Sequence, residues 1–175
     1  MPQIYVSIGT NINREEHLKL ALDQLHQYFG PLTCSPVYQS QAIGFEGKDF
    51  YNMVAGFETE DSIVMISKRL KDIEKMSGRD PGAPKFSDRT LDIDLLNYGA
   101  DITEQPIVLP RDEITYHAFV LQPLADIAPD WIHPVTGQSI QTMWEGFDQA
   151  SQQLHQIKSP ISMSQYSRGP IYATN

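Results

Sequence analysis

Residues 89–96 read Arg89-Thr90-Leu91-Asp92-Ile93-Asp94-Leu95-Leu96. Side chains alternate between the two faces of a strand. Leu91, Ile93 and Leu95 therefore point one way, into a core. Asp92 and Asp94 point the other way together, their Cα atoms about 6–7 Å apart. Upstream of this strand, Ile63, Ile66, Leu70 and Ile73 form the apolar stripe of a helix, with Asp61 as its expected cap and Gly78 as its stop. The loop from Arg79 to Asp88 bends at Pro81, Gly82 and Pro84. Phe50 to Phe57 reads as a strand, and so does Leu32 to Gln39, where Pro36 argues for an edge position. Leu18, Leu22, Leu25 and Phe29 mark an earlier helix, stopped by Gly30-Pro31. Asn13 and Glu16 suggest a capping box at its start. Ile4 to Ile8 is the first strand. The order β-α-β-β-α-β predicts an α+β, ferredoxin-like sandwich with helices on one face of a single sheet.

Beyond residue 96 the pattern weakens. Short runs at Ile107–Leu109 and Phe119–Leu121 are expected to add strands, and Asp148–His155 a short terminal helix. Ser159–Asn175 is rich in Ser, Tyr, Pro and Gly without apolar period, so it is expected to form a C-terminal tail after a domain spanning 1–158. With 175 residues, 41% apolar and 20% charged, the chain has a globular composition, which excludes wholesale disorder. No apolar window is long enough for a membrane span, and the first residues lack the pattern of a secretory signal. The single cysteine, Cys34, excludes an internal disulfide and a cysteine zinc cage, and reads as a buried small hydrophobe. The expectation is a cytoplasmic protein that does not engage membranes.

The net charge of −9 disfavours nucleic acid as a partner. Yet Lys68, Arg69, Lys71, Lys75, Arg79, Lys85 and Arg89 place seven of the 13 basic residues within 22 positions. Such a cluster suits a small anionic ligand, or is simply a solvated helix face. Two carboxylates about 6 Å apart repel by roughly 3 kcal/mol at an effective dielectric near 20. A hard cation such as Mg²⁺ removes that repulsion and recruits phosphates. Taken alone, the acid pair is equally an exposed strand face. Arg79, Lys85 and Arg89 beside it fit phosphoryl transfer, in which cations neutralise charge on the moving group. Neither GxxxxGK[ST] nor GxGxxG occurs. Phe50 and Asn52 share a strand face, and Phe86 and Phe119 are further aromatics near polar segments. They could stack a flat heterocycle while an amide reads its edge, or be plain core. Gly9-Thr10-Asn11 closes the first strand. His17, His26, His117, His133 and His155 show no zinc spacing, and His17 and His26 read as surface residues.

Together the Arg89-x-x-Asp92-x-Asp94 strand, Gly9-Thr10-Asn11, Phe50-Tyr51-Asn52, the basic loop and Phe119-Val120-Leu121-Gln122-Pro123-Leu124 resemble one family from about Ile4 to Lys158. That family is 6-hydroxymethyl-7,8-dihydropterin pyrophosphokinase, an activity of folate biosynthesis. The resemblance implies transfer of the β,γ-pyrophosphoryl unit of ATP to the pterin hydroxymethyl group, with release of AMP. It implies that Asp92 and Asp94 hold two Mg²⁺ ions and that Arg79 and Arg89 stabilise the transferring group. It implies pterin contacts from Ser40, Gln41, Ile43, Phe50, Asn52, Phe86 and Phe119. Nucleotide contacts follow from Lys71, Glu74, Lys85, Arg89, Arg111 and His117. A loose association with other folate-pathway enzymes is the remaining partner expectation.

The departures from the family pattern cluster at the expected phosphate site. Phe86-Ser87-Asp88 replaces the usual Trp-Gly-Pro, and Pro81 and Gly82 stand where the enterobacterial type has cations. Arg111-Asp112 replaces His-Tyr, and His117 replaces an arginine. Phe50 replaces a frequent tyrosine, and Gln41-Ala42 a common Pro-Pro. A thinner cationic lining predicts weaker ATP binding. Two alternatives to the active enzyme are a non-catalytic paralogue that binds pterin or nucleotide and a pyrophosphokinase for a related pterin.

Overall fold

A computed structural model describes residues 1–42, 44–79, 82 and 90–168. Strand β1, Gln3–Thr10, alternates in burial along its length, with Ile4, Val6 and Ile8 fully inside. Helix α1, Arg14–Phe29, buries Leu18, Leu22, Leu25 and Phe29, the stripe legible in the sequence. Two short strands follow, β2 (Thr33–Cys34) and β3 (Val37–Ser40). They flank Pro36, so the single strand expected from Leu32 to Gln39 is broken there. Strand β4 (Phe50–Glu58), helix α2 (Ile63–Met76) and strand β5 (Asp92–Leu95) complete the βαββαβ unit.

The sheet runs β5-β1-β4-β3-β6, with β2 also paired to β4, and among the described residues its strand pairings are all antiparallel. The first four positions give the ferredoxin-like order. Strand β6, His155–Ile157, adds to the outer edge of β3. Pro36 therefore does not mark an edge. It sits at a gap where Ser35 takes over the pairing, its N–H donating to the Val54 carbonyl and its hydroxyl accepting from the Val54 N–H. Asp148–His155 is not a terminal helix either: a 3-10 turn at Gln149–Ser151 leads directly into β6.

The expectation of helices on one face is corrected. Met53, Ala55 and Phe57 of β4 pack with α1 and α2 in one core. Val54, between them, packs in a second core with Val120, Leu121 and Leu124. Alternate residues of a strand face opposite ways, so the sheet is covered on both sides. The second cover is helix α3, Ala118–Ile127, with α4, Ile140–Glu145. Phe119–Leu121 is thus helical rather than a strand. A three-residue apolar run cannot tell a buried strand from a buried helix, and the i, i+4 pair Val120 and Leu124 settles it here. Ile107–Leu109 forms no strand, only a single bridge from Leu109 to Thr103.

Several local expectations also change. Asn13 stands at the N-cap of α1 in a left-handed conformation, φ 46°, without a side-chain cap bond. Ser62, not Asp61, caps α2 by accepting from the Met65 N–H, and Asp61 instead accepts from Arg69. Gly78, at φ 83°, does end α2 in a conformation that glycine adopts without steric cost. His17 is buried, not on the surface, with Nδ1 2.6 Å from the Ile12 carbonyl. Cys34 is half-buried, and burial pushes its thiol up to about 12. Residues 159–168 do not trail away: Tyr166 is 1% exposed and belongs to the core beneath α1.

Candidate active site

Three strands carry the polar floor of the site. Sheet register places Asp92 beside Gly9, Gly9 beside Asn52, and Asn52 beside Tyr38. Asp94 lies beside Ser7 in the next row but one. Residues directly opposite in antiparallel strands share a face. The acid pair and Asn52 therefore look out of the same face, about 10 Å apart across two strand spacings. Leu91, Ile93 and Leu95 are buried on the opposite side, as their alternation predicts. Gly9 keeps the floor low between the two groups: a Cβ there would stand 3.4 Å from Asn52 Oδ1.

Two cavities meet at the acid pair. The first, about 550 Å³, is lined by Ser40, Gln41, Phe50, Asn52, His117 and Phe119, among others. Asn52 is buried and donates to the Ser40 hydroxyl at 2.7 Å, which fixes its amide. The second, about 510 Å³, is lined by Ser67, Lys71 and Glu74 of α2 and by Val108 and Asp112 from the segment before α3. Arg79, Asp92, Asp94, Arg111, Glu113 and Tyr116 border both. The first cavity offers aromatic faces and an oriented amide. The second offers polar and cationic groups. Reacting groups from one ligand in each would meet over the carboxylates.

Each acid has an arginine partner. Arg79 Nη1 donates to Asp92 Oδ1 at 2.8 Å and also to Glu74 Oε2. Arg111 Nη2 lies 3.7 Å from Asp94 Oδ1 and 2.7 Å from Glu113 Oε1. Four carboxylates thus face two guanidinium groups. Burial and then the charge of Asp92 push Asp94 up to about 7. Burial, with Asp92 again adding to the shift, pushes Glu74 up to about 7. Glu74 also accepts from the Ile93 N–H at 2.9 Å, so this carboxylate caps the open edge of β5. Burial lowers the His117 ring, which is therefore neutral at neutral pH and supplies no cation.

An excess of buried carboxylate with raised proton affinity is the donor set a hard divalent cation suits. Asp92 and Asp94 are the pair that could hold one. No cluster of three metal-ligating side chains occurs among the described residues. A cation here would take its other oxygens from a ligand and water, as Mg²⁺ usually does.

Between about pH 4 and 7 the folded chain keeps protons on Asp94 and Glu74 that the unfolded chain has released. Their contribution to stability therefore falls as pH rises through that window. A bound cation replaces those protons. Mg²⁺ is expected to raise Tm more at about pH 7.5 than at about pH 5. Equal shifts in thermal melts at the two pH values would contradict cation binding by these groups.

Of the residues expected from sequence, Ser40, Gln41, Phe50, Asn52 and Phe119 come together in the first cavity, and Lys71 and Glu74 in the second. Arg79, Arg111, Asp92 and Asp94 border both. His117, expected on the nucleotide side, lines the first cavity and stacks on Phe119 at 4.5 Å. Ile43, Lys85, Phe86 and Arg89 lie outside the described residues. Glu113, Tyr116, Phe45 and Ser7 were not expected. Glu113 had a faint signal in its i, i+2 spacing from Arg111, whereas Tyr116 had none. Among the described residues, no helix is long and apolar enough to cross a membrane.

Comparison with known proteins gives a consistent result. Residues 5–129 match the family model for 7,8-dihydro-6-hydroxymethylpterin-pyrophosphokinase (HPPK). A folic acid synthesis protein from Pneumocystis carinii is 32% identical over 148 residues, covering 81% of this chain and 20% of that protein. A 2-amino-4-hydroxy-6-hydroxymethyldihydropteridine pyrophosphokinase from Haemophilus influenzae is 33% identical over 135 residues, covering 74% and 84%. The crystal structure of wild-type Plasmodium falciparum HPPK-DHPS matches 82% of this chain and 44% of its own, with a TM-score of 0.64 and 13% identity. At that identity the likeness speaks for the fold alone. The chain spans a fifth of the Pneumocystis protein and under half of the Plasmodium one.

Proposed function

The chain belongs to the 7,8-dihydro-6-hydroxymethylpterin-pyrophosphokinase family, and on that premise we propose that it transfers the β,γ-pyrophosphoryl unit of ATP to the hydroxymethyl oxygen of 6-hydroxymethyl-7,8-dihydropterin and releases AMP. The observation that carries the proposal is the junction of two cavities over Asp92 and Asp94. The aromatic cavity takes the pterin, with Phe50 and Phe119 against the ring and Asn52 and Ser40 at its polar edge. The cavity beside α2 takes ATP, with Lys71 at its rim and Ser67 in its wall, the buried Ser67 hydroxyl having no hydrogen-bond partner among the described residues. Asp92 and Asp94 would hold two Mg²⁺ ions, which supply charge neutralisation for the phosphates when bound.

The chain's own residues do the positioning. The two cavities bring the acceptor hydroxyl and the ATP phosphates to one place, which converts a bimolecular encounter into an oriented one. Arg79 and Arg111 stand at that junction, where negative charge moves from donor to acceptor. Both must loosen from their carboxylate partners to engage phosphate. Arg89 and Lys85 are proposed to add charge from the connecting loop. The hydroxyl proton leaves to water or a phosphate oxygen.

The test is a product assay with Mg²⁺, ATP and 6-hydroxymethyl-7,8-dihydropterin. Pterin-dependent AMP is expected. ADP instead would mean single-phosphoryl transfer or hydrolysis, and no nucleotide product with pterin still bound would favour the non-catalytic paralogue.

Two further results are expected. Arg79 and Arg111 are already paired with carboxylates, and His117 is neutral. ATP should therefore bind more weakly than low micromolar, and a low-micromolar Kd by calorimetry would contradict this. Gly9→Val should raise the pterin Kd about tenfold or more, because the added methyl groups fill the floor beside Asn52 Oδ1 and the lost contacts amount to a few kcal/mol at most. An unchanged pterin Kd would show that the ring does not lie over Gly9.

A further inference from the structure

Helix α3 starts without a cap of its own. His117 occupies the N-cap position and makes no side-chain cap hydrogen bond. The first N–H groups of an α-helix have no partner within it. That of Ala118 donates instead to Gln152 Oε1 at 2.9 Å, from 34 residues further along the chain. The same amide grips the other side of His117: Gln152 Nε2 donates to the Tyr116 carbonyl at 2.8 Å. One side chain thus pairs with the backbone much as a neighbouring strand would.

The gripped segment walls the aromatic cavity. Tyr116, His117 and Phe119 all line it, and their rings form a ladder with centroid spacings of 4.6 and 4.5 Å. Gln152 is not among the residues lining either cavity. It is itself held from both sides, by the 3-10 turn at Gln149–Ser151 and by β6, which pairs with β3 from His155 onward. It also lies beyond residue 129, where the match to the family model ends.

We infer that Gln152 is a positioning residue for the aromatic cleft: its amide clamps the backbone around His117 and so fixes where Phe119 and His117 stand relative to Phe50. The inference rests on the pterin reading above for its functional consequence. The clamp itself does not depend on that reading. Without it, the start of α3 loses two hydrogen bonds and the aromatic wall loses its reference to the sheet edge. Binding of a flat ring then requires ordering that the native protein has already completed.

Gln152→Met keeps the length of the side chain and removes both hydrogen bonds. Gln152→Glu keeps the acceptor for Ala118 and loses the donor to Tyr116. In the full chain, titration with 6-hydroxymethylpterin beside a non-hydrolysable ATP analogue should show about a tenfold weaker pterin Kd for Gln152→Met, the scale of one or two neutral hydrogen bonds. The Kd of Mg-ATP should change less than about twofold on the same scale. Gln152→Glu should recover part of the loss. Amide hydrogen exchange at Ala118 should be slow in the native chain and fast in Gln152→Met with no ligand present. Unchanged pterin binding in Gln152→Met, or equal losses of pterin and nucleotide binding with a lower Tm, would overturn the positioning role. Slow exchange at Ala118 in Gln152→Met would overturn the clamp. Rapid exchange in that variant, with no pterin binding even by the native chain, would uphold the clamp, overturn its pterin role and count against the pterin reading.

Discussion

Asp92→Asn and Asp94→Asn are each expected to cut pterin-dependent AMP formation by about a thousandfold, the scale of losing one preorganised charge at a reacting centre. Asparagine keeps the size of the side chain and an oxygen that accepts from Arg79 or Arg111. It removes the charge that a divalent cation needs. A purely structural role makes the opposite prediction about stability. Asp94 is pushed up to about 7 by burial and by its neighbour, so the two acids oppose one another in the metal-free fold. Neutralising either relieves that opposition. The metal-free variants should melt at the same temperature as the native chain or above it. Loss of turnover with Tm retained would identify a functional pair. Turnover retained in both variants would remove cation holding from the mechanism.

Tyr166→Ala should lower the free energy of unfolding by about 3–5 kcal/mol, the usual cost of emptying a large aromatic site in a core. The ring is 1% exposed and meets His26 edge-on at 5.8 Å. Its hydroxyl donates to Asp23 Oδ1 at 2.7 Å, and its carbonyl accepts from the Leu32 N–H at 2.7 Å. The residue therefore ties α1 and the start of β2 to the end of the described chain. Urea unfolding of the full-length variant measures the effect. A change under about 1 kcal/mol would mean that the segment after Ser159 is the dispensable tail its composition suggested.

These two expectations differ in how visible they were. Asp92 and Asp94 stand two apart in a strand, and Leu91, Ile93 and Leu95 show which way they face. Tyr166 had no such context. It lies among Ser and Gln residues with no apolar period, and its burial comes from a groove made by α1 and β2 more than a hundred residues earlier. The site shows the same division. Phe50 and Asn52 were readable as a pair because they alternate on β4. Glu113 and Tyr116 were not, because the segment before α3 has no period that says where its side chains point. The family resemblance filled part of that gap, naming Arg111, His117 and Phe119, all of which line the aromatic cavity.

Sequence pattern alone reveals the βαββαβ order, apart from the break between β2 and β3, together with the buried faces of α1, α2 and β5 and the outward acid pair. Each of these is a local periodicity, 2.0 or 3.6 residues, that the backbone imposes on neighbouring side chains. Long-range packing sets the rest: α3 covers the second face of the sheet, β6 closes its outer edge, the arginines already hold carboxylates, and Gln152 braces the aromatic wall. Those contacts join residues far apart in the chain. Their partners are chosen by sheet register and by which surfaces remain uncovered after the first core has formed, and no stretch of a few residues contains that information.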